Sequence, residues 1–484
     1  MAARTKPASP GTGGHKTADL GAHPAREQSV AAGKAARQLA PLKSHRDFAA
    51  AASRDPVGLL LGQAESRVPE LVPVRVRHGR MLVSPFAYYR GAALPMAADL
   101  AGTRSSGLQV QLCGDAHLLN FGAFASPERR LVFDLNDFDE TLPGPFEWDV
   151  KRLVASMAVA GRENGLTAGK RRRVAIATAA AYRTAMREFA AMSILNVWYA
   201  RFDVEDALAR LKSDLPKKAV RRTKAQIAKA RTRDSTQALA KLTTVTDGRR
   251  RIISDPPLII PLEELAGHLD VDAVYWFLRR LFSGYARTLP AYRRRLVERF
   301  ALTRVARKVV GVGSVGTETW ILLMEPDDGI DPLLLQAKQA QCSVLADYAG
   351  QSGYRNQGER VVAGQYLMQA VSDIFLGWQS ATPPGRRSAD YYFRQPRDWK
   401  YSAEIVGMNA AAMTGYGRMC GWTLARAHAR TGDRIAIAAY LGGSDKFDQA
   451  VADFAESYAD QTERDHTALA DAVASGRVQA QVGI

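Results

Sequence analysis

The sequence predicts an α+β fold of two lobes with a largely helical C-terminal part, and three observations carry that expectation. Stretches such as "EWDVKRLVASMAVAGREN" and "AIATAAAYRTAMREFAAM" repeat apolar residues at helical spacing, with Val150, Leu153, Val154 and Met157 on one face. Residues 303 to 338 instead collect Thr, Val, Ile and Leu around a group of glycines, and from about residue 400 the pattern is mostly helical again. The chain has 484 residues, 46% of them hydrophobic, which is enough apolar material for two to three globular units.

Taken in chain order, residues 1–40 mix Ala, Gly, Pro, Lys and Ser without periodicity and read as a disordered tail. The first residues lack the apolar core of a secretory signal, and no run of eighteen apolar residues follows, so the expectation is a cytoplasmic chain with no membrane partner. The globular pattern opens in a segment spanning 41–205. A basic insertion or linker is expected at 206–240, a glycine-containing lobe at 241–400, and a helical segment at 401–484. Cys113, Cys342 and Cys420 stand singly, which argues against a disulfide framework and a thiolate zinc site.

The net charge of +17 is uneven. From Arg210 to Asp234, ten Lys or Arg face two Asp, a net of +8, so nearly half of the excess is local. A solvated helix is the first reading of such a run, and a phosphate-rich partner such as nucleic acid is the second.

Against that basic background, "LCGDAHLLNFG" places Asp115, His117 and Asn120 in one short segment, and "VFDLNDFDE" adds Asp134, Asp137, Asp139 and Glu140. Asp115 to Asn120 is D-x-x-x-x-N, the spacing of a phosphotransferase loop in which the Asp takes the acceptor hydroxyl's proton and the Asn holds magnesium. The acids are then explained by a hard cation that needs oxygen ligands, with Asn120, Asp137 and Asp139 as the expected metal set.

The second pointed motif is "VVGVGSVGTETWILLM". Gly311, Gly313 and Gly316 spell GxGxxG, but the Thr/Trp/Ile-rich run after them predicts a strand where a dinucleotide fold needs a helix. Strand, glycine turn, strand is the arrangement that lays backbone N–H groups over nucleotide phosphates, here with Ser314 in the turn. A plain hairpin would use glycines similarly. The apolar strand "LLLQAKQA" then delivers Lys338 toward the phosphates. ATP and magnesium are the cofactors this reading implies, with Arg90 of "FAYYRG" as a further phosphate or acidic-substrate contact. Arg394 and Arg397 are weighed for the same role.

In ordinary kinases the glycine flap and Lys precede the catalytic loop, whereas here the loop lies near residue 115 and the flap near residue 311. A site does not depend on chain order, so the expectation is a protein-kinase-like fold with permuted lobe order.

"GDAHLLN" resembles the "GDxHxxN" loop of aminoglycoside and choline kinase-type phosphotransferases, and "LVFDLNDFD" resembles their metal motif. That resemblance implies that Asp115 is the base, that His117 shapes the loop by hydrogen bonding, and that Asp149 caps the next helix or braces the loop. "SPFAYYRG", "GDAHLLNFG", "FDLNDFDETLPGPFEWDVKRL", "GVGSVGTE", "GERVVAGQYLMQAVSDIFLGW" and "LARAHARTGD" together resemble the bacterial family called domain of unknown function 2252, over roughly residues 45 to 475. That family supplies no reaction. Its pattern tends to Lys-Glu-Ala where this chain has Lys338, Gln339, Ala340, so the acid that orients Lys338 is sought in Glu318 or Glu359. His428 is read as a core or capping residue as readily as a catalytic one.

The function expected from the residues is a magnesium- and ATP-dependent phosphotransferase acting on a small-molecule or protein hydroxyl. A nucleotide-binding regulator without transfer activity and a nucleic-acid-associated protein using the basic run are the alternatives.

Overall fold

The computed structural model describes residues 24–65, 74–211, 217–232, 235–265, 270–309, 311, 317–396, 399 and 401–483, and its architecture is α+β. Of the sequence-predicted positions, Gly313, Ser314, Gly316 and Arg397 lie outside the described residues, as do residues 1–23 of the expected tail, whereas Arg26–Leu39 is not irregular but a helix that buries Gly33 and Ala36.

Strands β1 (Gln109–Leu112), β2 (Phe121–Ala125), β3 (Leu131–Leu135) and β4 (Leu142–Pro145) form two nested antiparallel pairs, β1 with β4 and β2 with β3. Leu112 pairs with Leu142 and Phe121 with Leu135, so connections 113–120 and 136–141 leave the same end of the nest. They are stitched together there. Asn136 N–H donates to the Asn120 carbonyl at 2.8 Å, and Thr141 Oγ1 donates to the Leu112 carbonyl at 2.7 Å.

The short strand β5 (Phe202–Asp203) lines the free edge of β3. Strands β6 (Thr243–Thr246) and β7 (Arg249–Ile252) make a hairpin closed by Asp247 and Gly248, both with positive φ, as a two-residue turn matched to strand twist requires.

A six-stranded sheet follows, built from β8 (Ile259–Pro261), β9 (Phe300–Lys308), β10 (Thr319–Pro326), β11 (Leu333–Ala340), β12 (Gly377–Ala381) and β13 (Ala389–Arg394). Its order is β12-β13-β11-β10-β9-β8, with every neighbouring pair antiparallel. The unbroken apolar run of β10 is explained by burial on both faces. Trp320, Leu322 and Met324 pack on Phe277, Leu281 and Tyr285 of helix Val271–Thr288, while Ile321 and Leu323 pack on Leu239, Ile252 and Leu334.

Strand β11 follows the same alternation until its end. Leu333, Leu335 and Ala337 face helix Val271–Thr288, and the opposite face runs Leu334, Gln336, Lys338. Because Lys338 is in register with Tyr392 and Gln336 with Arg394, these four polar or amphipathic side chains share one face, with Tyr391 and Phe393 on the other.

The largest core joins chain segments far apart in sequence. Helices Phe146–Glu163, Ala168–Ala191, Ala410–Thr431 and Lys446–Ala474 bury Leu153, Val154, Tyr182, Leu424, Phe454 and their neighbours together. Gly417 and Gly421 let helix Ala410–Thr431 approach helix Ala168–Ala191, since a Cβ at either would collide with Thr178.

A buried ion pair pins this core to the β nest. Asp134 of β3 meets Arg426 of helix Ala410–Thr431, with side chains 0% and 1% exposed. Arg426 also donates to the Met368 carbonyl at 2.6 Å, and Asp134 accepts from Ala370 N–H at 2.8 Å. Asp134→Ala leaves the Arg426 charge buried and uncompensated, and is expected to destabilise the chain by about 3–5 kcal/mol in denaturant unfolding. Asp134→Leu combined with Arg426→Met should fall closer to the parent than either single change. A double variant as unstable as the sum of the singles would show that the pair is not acting as a unit.

Candidate functional site

The loop after β1 is held by a carboxylate beneath it. Asp149, in the first turn of helix Phe146–Glu163, accepts from Cys113 N–H at 2.6 Å and Gly114 N–H at 3.0 Å. Gly114 has φ 82°, and a Cβ there would strike the Glu140 carbonyl, so glycine is required at this position. His428 Nε2 lies 3.2 Å from Asp149 and its Nδ1 is 2.9 Å from the Tyr182 hydroxyl. Asp149 therefore braces the loop, and His428 is a buried member of that brace.

Asp115 projects from the braced loop with its side chain 19% exposed. Its Oδ1 accepts from Arg152 Nε at 2.8 Å and lies 2.6 Å from Arg152 Nη2. Arg152 in turn donates to the Tyr89 carbonyl at 2.9 Å and stacks 4.4 Å from that ring. Asp115 Oδ2 is 3.8 Å from His117 Nε2. Burial, then the charges of Arg90 and Arg152, hold the His117 imidazole well below its usual range, and its Nδ1 accepts from Leu119 N–H at 3.2 Å. His117 is thus neutral and shapes the loop. Asn120 ties the loop back on itself by donating from Nδ2 to the Asp115 carbonyl.

The second connection carries the other acids. Asp139 is ion-paired with Lys338, whose side chain is 2% exposed, and accepts from the Tyr392 hydroxyl at 2.7 Å. Burial works against ionisation of Asp139, but the Lys338 ammonium and the Tyr392 hydroxyl outweigh it and hold the carboxyl below its ordinary value. Asp137 shifts the opposite way, raised by burial and by the charge on Asp139 despite Lys338 and Arg394. Arg394 adds a cation on the same sheet face, its Nε donating to Gln336 Oε1 at 3.1 Å.

Arg360 of helix Gln357–Met368 frames this connection by donating to the carbonyls of Thr141, Asp139 and Gln341 at 2.7–2.8 Å. The acids expected to orient Lys338 are elsewhere. Glu318 accepts from the Tyr391 hydroxyl and, at 3.0 Å, from Arg386, on the far face of the sheet from Lys338. Glu359 lies in the first turn of helix Gln357–Met368, where Asn356 caps its N–H at 2.8 Å. The ion-pair partner of Lys338 is Asp139, 199 residues away.

The glycine segment is described only at Gly311, which has φ 68° and whose carbonyl accepts from Arg80 Nη1. Arg90 lies half-buried on helix Pro85–Gly91, in electrostatic range of Asp115 and Arg80. Among the described residues no three His, Cys, Asp or Glu side chains gather as a metal cage. Cys113 and Cys420 are buried, and burial pushes both thiols up; Cys342 is exposed.

A sequence model of the family "Uncharacterized protein conserved in bacteria" (DUF2252) matches residues 67–472. The chain belongs to that family. No curated protein and no solved structure matches the chain. In this family member the matched span contains every group of the arrangement above, from Arg80 to His428.

Sequence reasoning passed over several participants, Arg152, Arg360 and Tyr392 among them. Arg152 was readable as the residue three beyond Asp149 on the same helix, and Tyr392 as the residue two before Arg394 on one strand face. Neither spacing reveals its partner, because both partners come from remote segments.

Glu140 supplies a pH test. Burial raises its carboxyl to about 7, against the hydrogen bond from Val344 N–H at 2.7 Å and the charge on Arg360. The unfolded chain ionises this group near the ordinary 4.5. Its contribution to stability is therefore complete below that value and is lost as pH rises to about 7. Glu140→Gln keeps an acceptor for Val344. Its thermal midpoint should fall less than the parent's between about pH 5 and 7.5, and parallel curves would assign the dependence to other groups.

Proposed function

We propose that this chain is a magnesium- and ATP-dependent phosphotransferase acting on a hydroxyl acceptor, built on a kinase-like two-lobed fold with permuted order. One observation carries the reading: Lys338 meets the Asp137–Asp139 connection, and that connection lies against the loop carrying Asp115 and Asn120. Support also comes from the order of elements. A glycine segment joins the first two long strands β9 and β10, the Lys ends the third, and helix Gln357–Met368 follows, as in the nucleotide lobe of kinases.

The residues present fit a magnesium–nucleotide complex. Asp137 is a half-buried carboxylate whose ionisation is opposed by its surroundings, which is the condition a divalent cation relieves. Asp137 and Asn120 would hold the ion. Magnesium is bound through one or two carboxylates together with substrate phosphates, and a carboxylate with an amide oxygen is a donor set of that kind. ATP, when bound, supplies the phosphoryl group, and magnesium neutralises charge on it.

The chain's own groups divide the remaining work. Lys338 and Arg394 supply positive charge on the sheet face, and Asp139 holds Lys338 in place. Asp115 has one oxygen fixed by Arg152, which leaves Oδ2 without a hydrogen-bond partner among the described residues. That oxygen would orient an acceptor hydroxyl and take its proton as the acceptor oxygen bonds to the γ-phosphorus and ADP departs. Neutral His117 beside it cannot compete as a charged partner.

A second reading, a nucleotide-binding regulator without transfer, is favoured by the absence of Glu318 and Glu359 from Lys338. Two substitutions separate the readings. Asp115→Ala should bind ATP about as well as the parent and lose roughly two to four orders of magnitude in turnover, measured as ATP consumption with pooled cell metabolites as acceptors. Asp137→Asn should lose magnesium-dependent nucleotide binding. A parent that binds ATP yet consumes none across the pools supports the regulator, and a parent that binds no nucleotide with magnesium ends both readings.

A further inference from the structure

Several guanidinium groups gather in the neighbourhood of Asp115. Three guanidinium groups, on Arg80, Arg90 and Arg152, lie within electrostatic reach of one another or of this single carboxylate. Arg152 is satisfied by Asp115 Oδ1 and the Tyr89 carbonyl. Arg80 is engaged with the Gly311 carbonyl. Arg90 is left over: its Nε is buried without a hydrogen-bond partner, and no described carboxylate is ion-paired with it.

Such a group is costly unless an anion completes it. A half-buried guanidinium loses hydration, and a second guanidinium in range adds repulsion, so without an anion the arrangement opposes folding. Arg90 keeps its position because helix Pro85–Gly91 is locked on both sides. Ser84 caps its start at 3.1 Å, and the preceding Tyr89 donates its hydroxyl to the Arg152 carbonyl at 2.7 Å. The Arg90 guanidinium is therefore held on a fixed helix, within electrostatic range of Asp115.

We propose that Arg90 receives an oxyanion, phosphate or carboxylate, and that the acceptor is a hydroxyl compound bearing such an acidic group. The link to an acceptor rests on the phosphotransferase reading, whereas the oxyanion site does not. The nucleotide is the poorer occupant. Its expected cations, Lys338 and Arg394, cluster with Asp137 and Asp139, while the charged neighbours of Arg90 are Asp115 and Arg80. A guanidinium fork matches two oxygens of phosphate or carboxylate at once, which an ammonium cannot do.

The test is equilibrium dialysis of labelled inorganic phosphate against the full chain, with and without saturating ADP and magnesium, for the parent, Arg90→Gln and Arg90→Lys. Phosphate should bind the parent equally with ADP present. Arg90→Gln should weaken phosphate by about tenfold or more and Arg90→Lys by less, while both bind ADP within about twofold of the parent. Competition by acetate then distinguishes a site that admits carboxylates from one restricted to phosphate. Displacement of phosphate by ADP would place Arg90 in the nucleotide site and overturn the proposal, as would undiminished phosphate binding by well-folded Arg90→Gln. Arg90-dependent phosphate binding in a chain that binds no ADP would leave the oxyanion site standing and remove the phosphotransferase reading.

Discussion

The charge on Asp139 is divided between the Lys338 ammonium and the Tyr392 hydroxyl, and this three-way contact joins the six-stranded sheet to the β nest. Its members come from β11, β13 and the connection after β3. Attraction between opposite charges is strong where water is scarce, but removing both from water costs a comparable amount, so the pair adds little net stability. Its weight lies in position. Leaving either partner alone is severe, and that asymmetry fixes the sheet face relative to Asp137 and, through the stitched connections, relative to Asp115.

Around this contact the site is organised as braces beneath reactive-looking groups. Asp149 holds the backbone under Asp115, Arg152 holds one of its oxygens, and Arg360 holds the carbonyls of Asp139 and Thr141. Groups supported in this way sit on fixed geometry, because each supporting side chain has its own partners in the core. His428 shows the depth of the arrangement, lying two contacts behind Asp115 between Asp149 and Tyr182.

Much of this was legible in the sequence, and the parts that were not share a cause. Glycine-strand-Lys order and the D-x-x-x-x-N spacing are local patterns, and local patterns survive in a linear reading. The α+β class followed from periodicity in the same way. The Lys338–Asp139 pair, the Asp134–Arg426 clamp and the Asp115–Arg152 bracket are contacts between segments with no sequence relation, and no spacing rule points across such gaps. Glu318 illustrates the error this invites. It is near Lys338 along the chain and one strand away, yet the alternation of side chains sends it to the opposite face, where Arg386 and Tyr391 take it. The basic run shows the complementary limit: charge density predicts exposure but names no partner, and the described part forms helix Lys217–Arg231, with Arg231 joined to Glu205.

The large core, assembled from helices on both sides of the six-stranded sheet segment, has a consequence for how the chain is made. Helix Phe146–Glu163 leaves the ribosome more than 200 residues before helix Ala410–Thr431, whose apolar face it shares. During that interval, roughly tens of seconds at ordinary elongation rates, the nascent chain carries apolar surface it cannot yet cover. Closing so long a loop costs little more entropy than closing a short one, because the penalty grows only logarithmically with length. The finished protein therefore tolerates the split arrangement thermodynamically, and the uncovered interval is confined to synthesis.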